Sequence, residues 1–169
     1  MTPTSKEFIA QALFRFSENL PRIEKSLAKL TEVQVWQRPN EQSNSIGNLI
    51  VHLCGNITQY ITSSIGGIED KRTRDLEFSI QGGLSKAELL EKISQVIEEA
   101  SSVIENISEE ELLRVRFVQG FEFSGLGNIL HVIEHYSYHT GQIACYTKLL
   151  TNKDLGFYAD MDLNVKNEV

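Results

Sequence analysis

Apolar residues in this chain recur at alternating steps of three and four over four long stretches, and no other feature constrains the fold as much. From about Ser5 to Leu30 they stand at Ile9, Leu13, Phe16, Leu20, Ile23, Leu27 and Leu30. Such steps keep side chains on one face of an α-helix, whereas a half-buried strand needs strict alternation. Pro21 lies inside this stretch, carries no amide hydrogen, and predicts a kink or break near Leu20. A second helix is predicted from about Ser45 to Ser64, with Ile46, Leu49, Ile50, Leu53, Ile57, Tyr60 and Ile61 on one face. Asn44 or Ser45 can cap it, and Gly66-Gly67 ends it. A third runs from about Lys86 to Ile107, with Leu90, Ile93, Ile97, Ala100, Ile104 and Ile107 as its seam and Ser85-x-x-Glu88 as a capping box. Glu91, Glu98, Glu99 and Glu105 give it a solvated face. The fourth, from about Gly125 to Leu150 with Ser124 as cap, has Leu126, Ile129, Leu130, Ile133, Tyr136, Ile143 and Ala144 on its apolar side. A short helical turn near Ser108–Leu113 precedes it.

Four helices with such seams predict an all-α fold, a four-helix bundle. Two connections are irregular. Gly66 to Gly83, between the second and third helices, is long for a bundle loop. Arg114 to Phe123 alternates Val115, Phe117, Phe121 and Phe123 around Gln119-Gly120, the pattern of a short β-hairpin. Alternation puts Arg114 and Arg116 together on the solvent side of it. A length of 169 residues, without repeat or linker, fits a single domain over 1–169.

Composition removes several function classes. Lys plus Arg number 16 against 23 for Asp plus Glu, a net charge of -7, which is the wrong balance for a chain that tracks phosphates, so no nucleic-acid partner is expected. The apolar runs are too short to span a bilayer, so no membrane partner is expected either. The opening Met-Thr-Pro-Thr-Ser-Lys-Glu lacks the pattern of a signal peptide. Cys54 and Cys145 form no metal or disulfide pattern and are read as free packing thiols in a reducing compartment. Together these predict a cytoplasmic protein. There is no serine–histidine–acid set and no phosphate loop, and Gly125-Leu-Gly127 lacks the third glycine of a dinucleotide motif.

The histidines carry the chemistry. His131, His135 and His139 recur every four residues on the fourth helix and form one stripe, which Gln142 and Tyr146 continue. On a helical wheel Leu126, Ile129, Leu130, Ile133 and Ala144 lie nearly opposite, so the stripe is no part of the aliphatic seam. A neutral imidazole is the commonest transition-metal ligand, and two of them four apart on one helix can chelate. Two such ligands plus one from a neighbouring helix make a three-histidine set with open positions, as a catalytic centre requires. His52 is the one histidine outside the fourth helix. It sits on a polar edge with Ser45, Asn48, Asn56 and Gln59, which puts such a site near a mouth of the bundle. The competing reading is a non-catalytic stripe that holds a structural metal or a subunit interface.

Ser-Ile-Gly-Asn-Leu-Ile-Val-His52-Leu, the Arg74-Asp-Leu-Glu-Phe78 segment and His135-Tyr-Ser-Tyr-His139-Thr-Gly-Gln-Ile occur in this order. In that order they resemble the DinB/YfiT-like metalloprotein superfamily, most specifically an uncharacterised DinB-like branch of it. The resemblance implies a four-helix bundle in which His52, His135 and His139 hold a divalent metal, with no settled role for His131. It also implies a small-molecule substrate and a homodimer. Relatives include S-transferases that use low-molecular-weight thiols, and metal-dependent hydrolases or isomerases. The His-Arg-Gly-Gln ending frequent in the superfamily reads His139-Thr140-Gly141-Gln142 here, so a positive charge is missing.

Three neutral ligands leave a metal's charge uncompensated, which would deprotonate a bound thiol or acidify a bound water. The first gives S-transfer with a thiol co-substrate, the second hydrolysis. Zinc, nickel, iron and manganese all suit imidazole. In the long loop, Lys71, Arg72 and Arg74 can wall a substrate or, more simply, form a salt-bridged crossover with Asp75 and Glu77. Glu134, about 100° round the helix from His135, is no base.

Overall fold

Each seam becomes a helix, and the second, third and fourth start at caps the sequence announces. The computed structural model describes residues 1–167, so the last two of the domain expected over 1–169 lie outside the described residues. α1 spans Pro3–Ala28 and runs unbroken through Pro21, so of the kink or break expected near Leu20 the break does not occur. Pro21 is exposed, as is Ser17, whose carbonyl loses its amide partner, so that end of the helix wall faces water and the lost bond is cheap. α2, Glu32–Trp36, was not expected; a Thr31–Gln34 capping box starts it. Its Trp36 indole donates to the Leu84 carbonyl at 2.8 Å and lies over Gly47, where a Cβ would come within 2.7 Å of the ring.

α3, Ile46–Ile57, is capped by Ser45 in a box closed by Asn48. It continues as a π-helical turn, Thr58–Ser63, with Ser64 N bonded to the Gln59 carbonyl. Such wide turns loosen the backbone ladder, and here Asn128 of a facing helix donates to the Tyr60 carbonyl and to Ser64 Oγ. The long connection holds a further short helix, α4, Arg74–Ser79. α5, Lys86–Glu105, has the expected Ser85–Glu88 box, but Leu89 and not Leu90 leads its buried seam. α6 is Glu109–Leu113, capped by Ser108.

β1, Val115–Val118, and β2, Phe121–Ser124, pair antiparallel with Val118 opposite Phe121. Gln119 and Gly120 turn between them at φ 53° and 83°, as a two-residue turn of positive φ requires. The faces are reversed from expectation. Arg116 is buried and donates to the Glu111 carboxylate and to the Glu111 and Arg114 carbonyls, while Phe117 is 81% exposed. The end of α6 offers Arg116 these oxygens, and that outweighs the cost of exposing Phe117. Only Arg114 faces solvent.

α7, Gly125–Thr151, starts at Ser124 as expected and ends at a left-handed Asn152. α1 packs on α5 and α7, and α3 packs on the same two. α1 therefore stands across from α3, and α5 across from α7, so the chain crosses the bundle diagonally twice, between α1 and α3 and between α5 and α7. Phe16, Ile23, Ile50, Leu53, Ile93, Ile104, Ile129 and Tyr136 fill the centre. Among the described residues no helix is long and apolar enough to cross a membrane.

Candidate metal centre

The site grows from a polar column inside an apolar helix. Ser45, Asn48, His52 and Asn56 succeed one another on one face of α3 at helical spacing, and all are buried, none more than 5% exposed. The sequence marks this as a polar edge; what it does not show is that the connection 64–85, which joins α3 to its neighbour α5, crosses over it as a roof. Asn48 Nδ2 donates to the carbonyls of Glu77 at 2.9 Å and Ile80 at 2.8 Å, which pins α4 down onto α3. Arg38 reinforces the clamp by donating to the Phe78 carbonyl.

The clamp delivers Glu77 to His52. Glu77 Oε2 lies 2.8 Å from His52 Nδ1, and Arg72 grips both carboxylate oxygens, Nε to Oε1 at 2.7 Å and Nη2 to Oε2 at 2.9 Å. Burial works against ionisation of Glu77, but the hydrogen bonds from Arg72 and His52 prevail and hold its carboxyl below the usual range. An ionised carboxylate only accepts, so His52 Nδ1 carries the proton and Nε2 keeps its lone pair. On α7, His139 Nδ1 lies 2.7 Å from Gln142 Oε1, which leaves its Nε2 lone pair free in the same way.

These two nitrogens meet a third. His135 Nε2 is 2.9 Å from His52 Nε2, and one ligand atom from each of His52, His135 and His139 lies within 4.8 Å of the others. His135 Nε2 carries the proton of that contact, since His52 Nε2 accepts it. Burial, and then the neighbouring histidines, push His135 down to about 3, and burial lowers His139 as well. His135 and His139 are thus neutral at ordinary pH, the form that ligates. A donor set of three imidazoles, two with their far nitrogens anchored, fits a transition metal ion.

His131 stays outside the trio. It stacks on Tyr60 at 4.3 Å and on His135 at 5.5 Å, and Asn56 Nδ2 reaches its Nε2 at 3.4 Å. The wheel of the fourth helix also needs correction. Val132, Tyr136, Thr140, Ile143 and Thr147 face the core, while Leu130 is 51% exposed. Thr140 and Thr147 bond their own helix carbonyls and so pass as apolar. The histidine stripe therefore borders the core, and His139 is only 9% exposed.

The cluster lies between two clefts. One, of about 380 Å³, is lined by His52, His131, His135, Asn56, Arg74 and the hairpin turn. The other, of about 520 Å³, is reached past His139 and lined by Leu49, Tyr138, Gln142, Cys145 and Tyr146. Cys145 is exposed there and packs nothing, contrary to expectation, whereas Cys54 is buried and its thiol is pushed up to about 12. The loop arginines divide: Arg72 makes the salt-bridged crossover, and Arg74 lines the first cleft. Glu77 and Asn48 were missed as parts of the site, although the column Asn48, His52, Asn56 was a signal that something polar must cover it.

Residues 3–159 match the family model described as "Protein of unknown function (DUF1572)". A search of curated proteins returned no match. Among solved structures, the chain is similar to the DinB-like protein YjoA of Bacillus subtilis, with 17% identity and a TM-score of 0.65, covering 85% of this chain and 94% of that one. It is similar to a conserved protein of Enterococcus faecalis, with 19% identity and a TM-score of 0.63, covering 90% and 99%. A DinB-like protein of Bacillus cereus matches at 16% identity and a TM-score of 0.66, covering 82% and 90%. At these identities the likeness carries the fold.

Proposed function

The chain belongs to the DUF1572 family, of DinB-like fold, and on that footing we propose that it is a divalent-metal enzyme that transfers a small thiol to an electrophile. His52, His135 and His139 would hold the ion. One observation carries this reading: three imidazole nitrogens from two helices converge beside open clefts, and the far nitrogens of two are held. Bound there, a zinc, nickel, iron or manganese ion supplies a Lewis acid that lowers the pKa of a coordinated thiol.

The chain's own residues do the positioning. Glu77 keeps His52 in the tautomer with a free Nε2, and Arg72 keeps Glu77 ionised. Gln142 does the same for His139. His135 must shift its ring proton from Nε2 to Nδ1 before Nε2 can ligate, a change of tautomer with no net release of a proton. Glu77 also favours transfer over hydrolysis. Both its oxygens are taken by Arg72, and one also by His52, so it anchors and does not act as a base. A thiolate that is already formed needs no base at the moment of attack.

The test is metal content of protein purified without a histidine tag, beside His135→Ala, followed by monobromobimane consumption with small thiols. Near-stoichiometric metal that vanishes in the variant, with metal-dependent thiol transfer in the parent, supports the reading. No uptake of supplied zinc, nickel, iron or manganese refutes the centre. Metal uptake with ester cleavage and no thiol transfer makes it a hydrolase.

A further inference from the structure

The cleft beside His52 and His135 contains a cation that the fold does not use. Arg72 is consumed by Glu77, but Arg74, two residues further along the same crossover, makes no ion pair with any described carboxylate. Its guanidinium stacks 4.8 Å from the Phe78 ring centroid, and Phe78 in turn lies 4.8 Å from His52. A guanidinium stacked by its face keeps its N–H edge for a planar acceptor. No carboxylate lines the cleft, so nothing there competes for it.

Two further features point to a ligand. Asn56 is 3% exposed and lines the cleft, yet its Oδ1 has no hydrogen-bond partner. A buried carbonyl left so is costly unless a bound group donates to it. Phe121, Phe123, His131 and His135 form a stacked row, with successive centroids 5.9, 6.0 and 5.5 Å apart, and Phe121, His131 and His135 of this row give the cleft one aromatic wall. A volume of about 380 Å³ suits a small molecule.

We propose that this cleft binds a small carboxylate-bearing molecule, with its carboxylate on Arg74 and its body along the Phe121–His131 wall over Asn56. A single guanidinium presents one charge and a planar fork, which match a carboxylate monoanion better than a phosphate dianion. The carboxylate site stands on the cleft itself; only its identification with the thiol co-substrate rests on the function proposed above.

Titration of the histidine ring resonances with mercaptopropionate and with its amide, with and without supplied zinc, tests it. The acid should bind about tenfold more tightly than the amide, as one charge-assisted hydrogen bond allows. Arg74→Gln should bring the ratio near one in both states, while metal uptake stays unchanged, since Arg74 is exposed and outside the histidine trio. Equal affinities in the parent, or a ratio that survives in Arg74→Gln, overturns the site. Stronger competition by inorganic phosphate than by acetate overturns the carboxylate assignment. An Arg74-dependent ratio in a protein that takes up no metal supports the site and refutes the metal enzyme alone. Metal uptake with no such ratio does the reverse.

Discussion

Glu77→Gln removes the charge on which the crossover and His52 both depend. The Arg72 and Glu77 side chains are 5% and 7% exposed, so their pair is screened little by water. Glutamine keeps the volume but turns one of the two accepting oxygens into a donor that faces Arg72 or His52. Breaking a buried pair from one side leaves the other charge uncompensated and costs about 3–5 kcal/mol. With a chain of this length that corresponds to a melting temperature lower by roughly 6–20 °C. Urea unfolding of metal-free protein at pH 7 measures it. The pH profile gives a second readout. The carboxyl of Glu77 is held below 4.5 in the fold, so its contribution is complete above about pH 4.5 and fades as pH falls through the lower folded value. Glu77→Gln should flatten that acid limb. Metal affinity should fall about 10–100-fold, because His52 loses the group that orients it. A loss below about 1 kcal/mol together with an unchanged acid limb would mean that Arg72 is solvated and Glu77 does not hold His52, and the account of the site would fail.

Three other outcomes follow from the same geometry. Metal-free protein should lose stability as pH falls below about 6.5, because His131, His135 and His139 stay neutral in the fold while the unfolded chain takes up protons; His135→Gln should make the urea midpoint less sensitive there, and an unchanged sensitivity would contradict the burial of this ring. Gly55→Ala should cost about 1–3 kcal/mol in a thermal melt and weaken metal uptake, since its Cβ would overlap Glu77 Oε1 and come within 2.9 Å of Arg72 Nε; a neutral effect would show that the pair has room to move. Asn48→Ala should free the Glu77 and Ile80 carbonyls, cost about 1–3 kcal/mol, and speed protease cleavage within 68–80; cleavage at the parent rate would mean that other contacts hold α4.

What the sequence makes legible is what one helix can record by itself. The seams of α1, α3 and α5 announce their buried faces, and Ser45, Ser85 and Ser124 announce the starts of α3, α5 and α7. His135 and His139 fall together because four residues span one turn. Contacts across the crossover leave no such period. Glu77 meets His52 from 25 positions away, on a helix of six residues that is too short to show a seam. The hairpin alternates as read, but which face turns inward depends on the oxygens that α6 presents to Arg116. In α7 the error had a different cause. Threonines bonded to their own helix serve as core residues, so counting only aliphatic side chains rotated the wheel toward Leu130.

The crossover has little apolar surface with which to hold itself down: Ile68 is 60% exposed and Leu76 63%. What ties it to the bundle is polar: Asn48 to two carbonyls, Glu77 to His52, Arg72 to Glu77 and Gln59, and Gln59 to Asp70. Each such bond is worth only about 1 kcal/mol net, but an opened crossover would leave the whole column on α3 to be rehydrated together. Docking of the crossover and fixing of the His52 tautomer are therefore one event. In a bundle whose apolar core is already complete without the crossover, that polar seam serves the histidine site more than the stability of the fold. It accounts for a cost no structural bundle needs, a charged pair and four polar side chains buried against the side of an apolar helix.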